Sequence, residues 1–552
     1  MELKEWIVTL HRREDLESFY DDMETPGGNL FIPDRAVEVA NKRPISRNTH
    51  YMLTHDEVAL IKADDRVWDV ELAELIEITL KPHYTITNGE FDKSTTNDAS
   101  DINWGLLRNS EETNRSNWGG NGTSLVVDNL TITSSGKNVD VVIVDGHMDP
   151  DHPEFAVNSN GTGGTRVQQF NWFSLTNAVT GGSNGTYVYT PYVDGGDAGR
   201  TDDNNHGCHV AGTVAGNTQG WARDANIYNI SPYSTNPNTL SSTIMWDYIR
   251  QWHNTKAINP TTGRRNPTVT NNSYGSSILT NYTGSYTTGA VTRVNYRGVD
   301  FNPGRNLTTA ELQARGFFAP SLTMSIPNFF TSRNADMQDA INDGIIIVAS
   351  AGNDYWKTVN ASDQDYNNTY FMTYNGFEYL WYLHRGTGSG AGYAPVINVG
   401  ATSNDTQEDK APFSNIGSQV DIFAAGEAIQ SSLHSGGIND LRNSSYQFGK
   451  YQGTSMSGPQ VAGVLALLAE SWPNITQAEA QAWLINKASV DQMQDTAADD
   501  PMDTNSLQGA PNLYLRWINQ RSTTGTTFPQ KNFRPRPTTG ITYPRTRIRR
   551  RG

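Results

Sequence analysis

Two uninterrupted runs of β-branched residues, Val141-Val142-Ile143-Val144 and Ile345-Ile346-Ile347-Val348, constrain this chain more than any other feature. A strand that meets water on one face alternates apolar and polar residues. A run that is apolar at every position has to be covered on both faces, which is the condition of parallel strands lying under helices. Helix-length stretches of suitable composition separate the strand-like segments, at residues 206–216, 243–252, 335–342 and 455–469. Strands alternating with helices predict an α/β fold with a parallel sheet and helices on both faces, spanning residues 102–520.

A smaller unit precedes it. Trp6-Ile7-Val8-Thr9-Leu10 and Thr49-His50-Tyr51-Met52-Leu53 read as strands, and residues 16–23 as a short amphipathic helix. Thr54-His55-Asp56-Glu57 has the form of a capping box ahead of Val58, Leu60 and Ile61, so a second helix starts there. Val67-Trp68-Asp69-Val70-Glu71 closes the unit as a half-buried strand. Residues 1–80 thus form a small α+β domain, and the polar stretch 81–101, with Ser94-Thr95-Thr96-Asn97-Asp98, a linker. Residues 521–552 differ in kind. A fifteen-residue repeat brings Thr523-Thr524-Gly525-Thr526-Thr527-Phe528-Pro529 back as Thr538-Thr539-Gly540-Ile541-Thr542-Tyr543-Pro544, in a segment too poor in apolar residues to build a core.

Composition removes several classes. With 552 residues and 36% hydrophobic residues the chain has enough apolar material for a sizeable core, and one cysteine, Cys208, excludes an internal disulfide framework. The start, Met1-Glu2-Leu3-Lys4-Glu5-Trp6, has neither a basic nor an apolar leader region, and no stretch approaches the roughly 18 apolar residues of a membrane span. The expectation is a cytoplasmic or particle-associated protein rather than a conventionally secreted one. The net charge of −16 is a misleading average: residues 531–552 carry eight Lys and Arg and no acid, leaving −24 on residues 1–530. A basic tail behind an acidic body is either a solvated terminus or a docking arm for an acidic partner or particle surface.

Three segments put a reactive side chain beside glycines. Asp145 ends the run 141–144, where open parallel sheets carry their functional groups. His206 opens His206-Gly207-Cys208-His209-Val210-Ala211-Gly212-Thr213, and Ser455 lies in Gly453-Thr454-Ser455-Met456-Ser457-Gly458-Pro459 at the start of an apolar helix. A serine there sits among free backbone amides and the positive end of the helix dipole, both useful where an oxyanion forms. Singly, each is an ordinary cap or packing residue. Together they make a nucleophile, a general base and an orienting carboxylate.

With their flanks, these motifs resemble the subtilisin-like serine peptidases. The likeness covers most of residues 102–515 and includes Val142-Ile143-Val144-Asp145 with His152-Pro153-Glu154, the His206–Thr213 segment, and Gly453-Thr454-Ser455-Met456 with Pro459 and Val461-Ala462-Gly463. The order Asp, His, Ser is that of subtilisin itself. The resemblance implies that Ala349-Ser350-Ala351-Gly352-Asn353 supplies the oxyanion hole, with Asn353 as side-chain donor. It also implies that Ser273-Tyr274-Gly275 pairs with substrate backbone. A plain Asn/Ser/Gly turn is the other reading of that last segment. The resemblance further implies that residues 1–80 are an inhibitor-like propeptide, with processing in the linker; a permanently attached module is the alternative.

Some features depart from the family pattern. Gly146-His147 follows the aspartate where a small hydroxyl residue and glycine are usual, and Ser457-Gly458-Pro459-Gln460 replaces Ala-Ser-Pro-His. Residues 276–330 and 355–394 exceed a minimal member and read as surface insertions, the second carrying Tyr370, Phe371, Phe377, Tyr379, Trp381 and Tyr382. Cys208, two positions from His206, reads as a small buried residue rather than a reactive thiol. His206 and His209 with Cys208, Asp202 and Asp203 resemble a metal cluster only loosely, and leave Asp145, Asn353 and Ser455 unexplained. No cofactor is required for the chemistry. Structural calcium, common in the resembling family, finds no ligand spacing in the sequence. The sequence therefore predicts a serine endopeptidase acting on polypeptides and made with its own N-terminal domain as inhibitor. The rival is a structural or assembly protein, of a virus-like particle for example, that keeps the fold and cuts only itself or nothing.

Overall fold

The computed structural model describes residues 3–37, 40–73, 104–112, 132, 134–182, 203–231, 243–280, 289–318, 324–374, 377–388, 394–404, 408–496 and 505–518. The expected linker, with its processing region, and the repetitive basic tail lie outside these residues. Among them, eight strands form one sheet in the order Ser489–Val490, Leu513–Tyr514, Ile422–Ala425, Ile397–Thr402, Ile346–Ser350, Thr268–Asn272, Asp140–Val144, Asn226–Ile230. All neighbours are parallel except the first pair.

The β-branched runs lie in the interior of this sheet. Asp140–Val144 pairs on both edges, with Val142 opposite Tyr228 on one side and Thr270 on the other, and all five of its residues are buried. Because side chains alternate along a strand, Val141 and Ile143 enter one core and Val142 and Val144 the other. The first core packs beneath helices Asp203–Ala215 and Thr454–Ser471, and the second beneath Met245–Thr255 and Thr331–Asn342. The α/β sheet with helices on both faces is therefore the fold, and each expected helix is present with its ends moved by a few residues.

The N-terminal unit is a three-stranded antiparallel sheet in the order Asn48–Leu53, Lys4–Leu10, Val67–Leu72. Helices Leu16–Glu24 and His55–Ile61 close its own core around Trp6, Phe19, Tyr51 and Val58. The Thr54 hydroxyl and Glu57 carboxylate form the expected reciprocal capping box. This unit sits on the two helices of the second core. Arg43 pairs with Asp247 at 3.0 Å and Arg47 with Asp339 at 3.1 Å, while the Asn48 amide donates to Asp336 at 2.9 Å. The Glu71 carboxylate accepts the Thr331 and Ser332 amides at 2.7 and 2.8 Å.

The two insertions are not independent surface loops. Strands Val291–Tyr296 and Val299–Phe301 from the first join Thr369–Tyr374 and Phe377–Tyr382 from the second in one four-stranded antiparallel sheet. Val294, Leu307, Phe317, Tyr370 and Met372 are buried together beneath it. Neither segment shows this partnership in its own sequence. No helix among the described residues is long and apolar enough to cross a membrane.

Candidate active site

Asp145 follows the last residue of strand Asp140–Val144, and its amide still donates to the Ile230 carbonyl of the neighbouring edge strand at 3.2 Å. This fixes the carboxylate at the sheet's C-terminal edge. His206 reaches it from the first turn of helix Asp203–Ala215, with Nδ1 at 2.7 Å from Asp145 Oδ1. Both side chains are buried. Close helix approach makes the contact: a β-carbon on Gly207 would lie 2.3 Å from the His147 carbonyl and 2.5 Å from that of Gly146, so only glycine lets this turn rest on that backbone. The same Asp145 Oδ1 accepts the Gly146 amide at 2.8 Å, whereas buried Oδ2 has no hydrogen-bond partner among the described residues.

Ser455 stands in the first turn of the 18-residue helix Thr454–Ser471, almost wholly buried, and its Oγ donates to the Ser273 carbonyl at 3.2 Å. Ser273 in turn donates its Oγ to the Ser455 carbonyl at 3.1 Å and accepts the Asn271 amide at 2.9 Å. Ser273 therefore lies beside the serine. The Tyr274 ring, however, is buried in the core with Val142, Trp246 and Ala349, leaving backbone as this residue's contribution to the cleft.

Asn353 follows strand Ile346–Ser350. Its Oδ1 accepts both the Thr454 amide at 2.9 Å and the Thr454 hydroxyl at 2.7 Å. With Oδ1 so engaged, Nδ2 is the outward end. The position that a β-carbon on Gly453 would occupy lies 3.4 Å from Asn353 Nδ2 and 3.5 Å from the Ser455 amide nitrogen. Two N–H donors thus border one small space, kept open because residue 453 has no side chain, and Gly453 takes φ +149 there. Thr454 and Gly453 carry roles that the sequence reading did not assign. Their adjacency to Ser455 in the Gly-Thr-Ser motif was the available signal.

The remaining candidates separate from this centre. Cys208 is fully buried and its Sγ accepts the Asp149 amide at 3.0 Å, as a packing residue would. His209 stacks on Tyr451, and its Nε2 lies 2.7 Å from the Ile429 carbonyl; burial lowers its pKa to about 3, so it stays neutral. Gln460, at the altered position after the nucleophile, accepts the Trp221 indole N–H at 2.6 Å. Among the described residues there is no group of three or more His, Cys, Asp or Glu that could hold a metal ion.

Asp145 and His206 thus form a carboxylate–imidazole pair at the carboxyl edge of a parallel sheet, and Ser455 stands at a helix N-terminus beside Asn353; these are the kinds of group that acyl transfer uses. Residues 136–512 match the model of the Subtilase family, more than half of the chain, and the chain belongs to that family. Subtilisin NAT of Bacillus subtilis subsp. natto is 24% identical over 360 residues, covering 64% of this chain and 61% of that protein. Subtilisin J of Geobacillus stearothermophilus is 28% identical over 169 residues, 31% of this chain and 35% of that protein. The chain thus spans less than two thirds of the length of these relatives. Among solved structures, fervidolysin from Fervidobacterium pennivorans aligns over 92% of this chain and 60% of its own, at 18% identity and a TM-score of 0.47.

Proposed function

We propose that this chain is a serine endopeptidase that hydrolyses peptide bonds through an acyl-enzyme on Ser455. His206 removes the Ser455 proton as Oγ attacks the scissile carbonyl, and Asp145 holds the imidazole in the required tautomer and stabilises the imidazolium. The tetrahedral oxyanion is received by Asn353 Nδ2 and the Ser455 amide. The same proton passes from His206 to the leaving amine, the C–N bond breaks and the acyl-enzyme forms. Water, deprotonated by His206, then releases the acid and restores the serine. Backbone of residues 273–275 holds the substrate strand. The supporting observation is the 2.7 Å contact between His206 Nδ1 and Asp145 Oδ1, buried at both ends.

The N-terminal unit acts in this reading as an inhibitory propeptide, cut within the linker at residues 81–101 and released afterwards, and the basic tail as a docking arm for an acidic surface. A fluorophosphonate probe tests the chemistry. Wild-type protein is expected to label on Ser455 and Ser455→Ala to remain unlabelled. Failure of both the intact and the cleaved wild-type chain to label would exclude the peptidase and leave the assembly role. Mass spectrometry of the purified wild type separately tests processing, since only a full-length species would count against it.

A further inference from the structure

Four residues after Asp145 stands a second aspartate, and the fold gives it a second histidine. His434 Nδ1 lies 2.7 Å from Asp149 Oδ2; the Asp149 side chain is fully buried, whereas that of His434 is 34% exposed. His434 opens the turn between strands Ile429–Leu433 and Ile438–Asp440. Both pair with Asn443–Tyr451, which ends four residues before Ser455. This three-stranded sheet is laid along the helix that carries His206. His209 Nε2 meets the Ile429 carbonyl at 2.7 Å, and the Ser432 hydroxyl donates to the Cys208 carbonyl at 2.8 Å. Asn205 exchanges two hydrogen bonds with Ser435, donating to its carbonyl at 3.0 Å and accepting its amide at 2.9 Å. Together these contacts set residue 434 level with Asn205 and His206, in the first turn of the helix. The Asp149 amide donates to Cys208 Sγ at 3.0 Å and ties the aspartate to the same turn.

We infer that His434, held by Asp149, is a specificity-determining residue that receives a Lys or Arg side chain from the part of the substrate beyond the scissile bond. The inference rests on the peptidase reading above. His206 gives its proton to the leaving amine, so the leaving-group side of the substrate lies on the His206 side of Ser455, where residue 434 stands. A carboxylate oxygen only accepts, so Nδ1 holds a hydrogen and, in the neutral ring, Nε2 keeps its lone pair. Among the described residues Nε2 has no partner. The ring therefore offers solvent an acceptor with a buried negative charge behind it. An ammonium or guanidinium supplies both the donor and the counter-charge, whereas a substrate carboxylate supplies neither and meets Asp149 as a like charge. The net charge of −24 on residues 1–530 acts in the same direction. Fastening the turn does not account for the pair, because the two Asn205–Ser435 bonds already do so.

The full chain is expressed as wild type and as His434→Ala, His434→Lys and Asp149→Asn. A peptide that the wild type cuts, found in a digest of a denatured protein, is resynthesised with Lys, Gln or Glu at each of the three positions after the cut. For every pair kcat/KM is measured per fluorophosphonate-labelled active site. The wild type is expected to favour Lys over Glu about 5–20-fold at one of the three positions. His434→Ala is expected to bring that ratio below about twofold, and His434→Lys to reverse it. Asp149→Asn keeps the shape and removes the charge, and is expected to lower the ratio at the same position. Should that buried substitution prevent folding, the two changes at the partly exposed residue 434 still decide the matter. Equal rates for Lys and Glu at all three positions in the wild type, or a preference for Glu, overturn the inference and leave the peptidase reading standing. So does a preference for Lys that persists unchanged in both His434 variants. A wild type that neither labels nor cuts any peptide overturns the peptidase reading itself, and the inference falls with it.

Discussion

Replacing Thr454 by valine removes one hydroxyl and little volume, and the structure assigns that hydroxyl two partners. Its Oγ1 donates to Asn353 Oδ1 at 2.7 Å, beside the backbone amide of the same residue at 2.9 Å, and it accepts the Gly352 amide at 3.2 Å. The first loss bears on rate. A neutral hydrogen bond contributes about 0.5–1.5 kcal/mol, and each 1.4 kcal/mol is tenfold in rate, so kcat is expected to fall about 2–13-fold as the carboxamide loses one of its two anchors. The ceiling is complete loss of the donor, about 10²–10³-fold, a cost established on a subtilisin. The second loss bears on stability: Gly352 is buried, and its stranded amide is expected to cost about 1–3 kcal/mol. The assay is kcat and KM on a chromogenic peptide, corrected for active sites by fluorophosphonate titration, in a cycle with Asn353→Ala. Once Asn353 is gone there is nothing left for Thr454 to orient, so Thr454→Val is expected to have little effect on kcat in that background. An equal fold-loss in both backgrounds would refute the reasoning that Thr454 acts through Asn353.

Two further outcomes follow from the same geometry. Gly453→Ala places a methyl group 3.4 Å from Asn353 Nδ2 and 3.5 Å from the Ser455 amide, at a φ of +149 that alanine rarely adopts. The expected result is a kcat loss of about 10²-fold or more, and near-wild-type kcat would show that the oxyanion lies elsewhere. The docking interface should respond to pH through Glu71. Loss of water together with Asp69 raises Glu71 to about 7, although two amides and Ser332 oppose the rise. A group raised on docking stabilises the docked state most below its free value, near 4, and that contribution is lost as pH climbs through the raised value. Release of the cleaved unit is therefore expected to be slower at pH 5 than at pH 8, and the reverse order in a dissociation assay would refute the assignment.

Legibility followed the range of the interaction that fixes each feature. The capping box at Thr54 and Glu57 spans three residues and was readable. Helix Thr331–Asn342 was expected to begin at residue 335, because Thr331-Ser332-Arg333-Asn334 offers little helix preference and Phe330 contributes no side-chain cap. Its cap is the Glu71 carboxylate, some 260 residues away in the chain and supplied by another unit. The His206 and Asp145 pairing was readable as chemistry. The packing that brings it about, with Gly207 resting on the 146–147 backbone, was not.

The sequence by itself determined which class of sheet presents the candidate residues, and it named Asp145 and His206, which the fold brings together. Reactive side chains, turn glycines and β-branched strands impose their requirements through local covalent geometry and burial. Tertiary structure alone decided that two separate insertions share one sheet, that His55 stacks on Phe377, that Tyr274 turns its ring into the core, and that Asp145 Oδ2 lacks a partner among the described residues. Each of these depends on surfaces meeting across long stretches of chain. Their free energy comes from shape and water exclusion at the contact, which no single segment encodes.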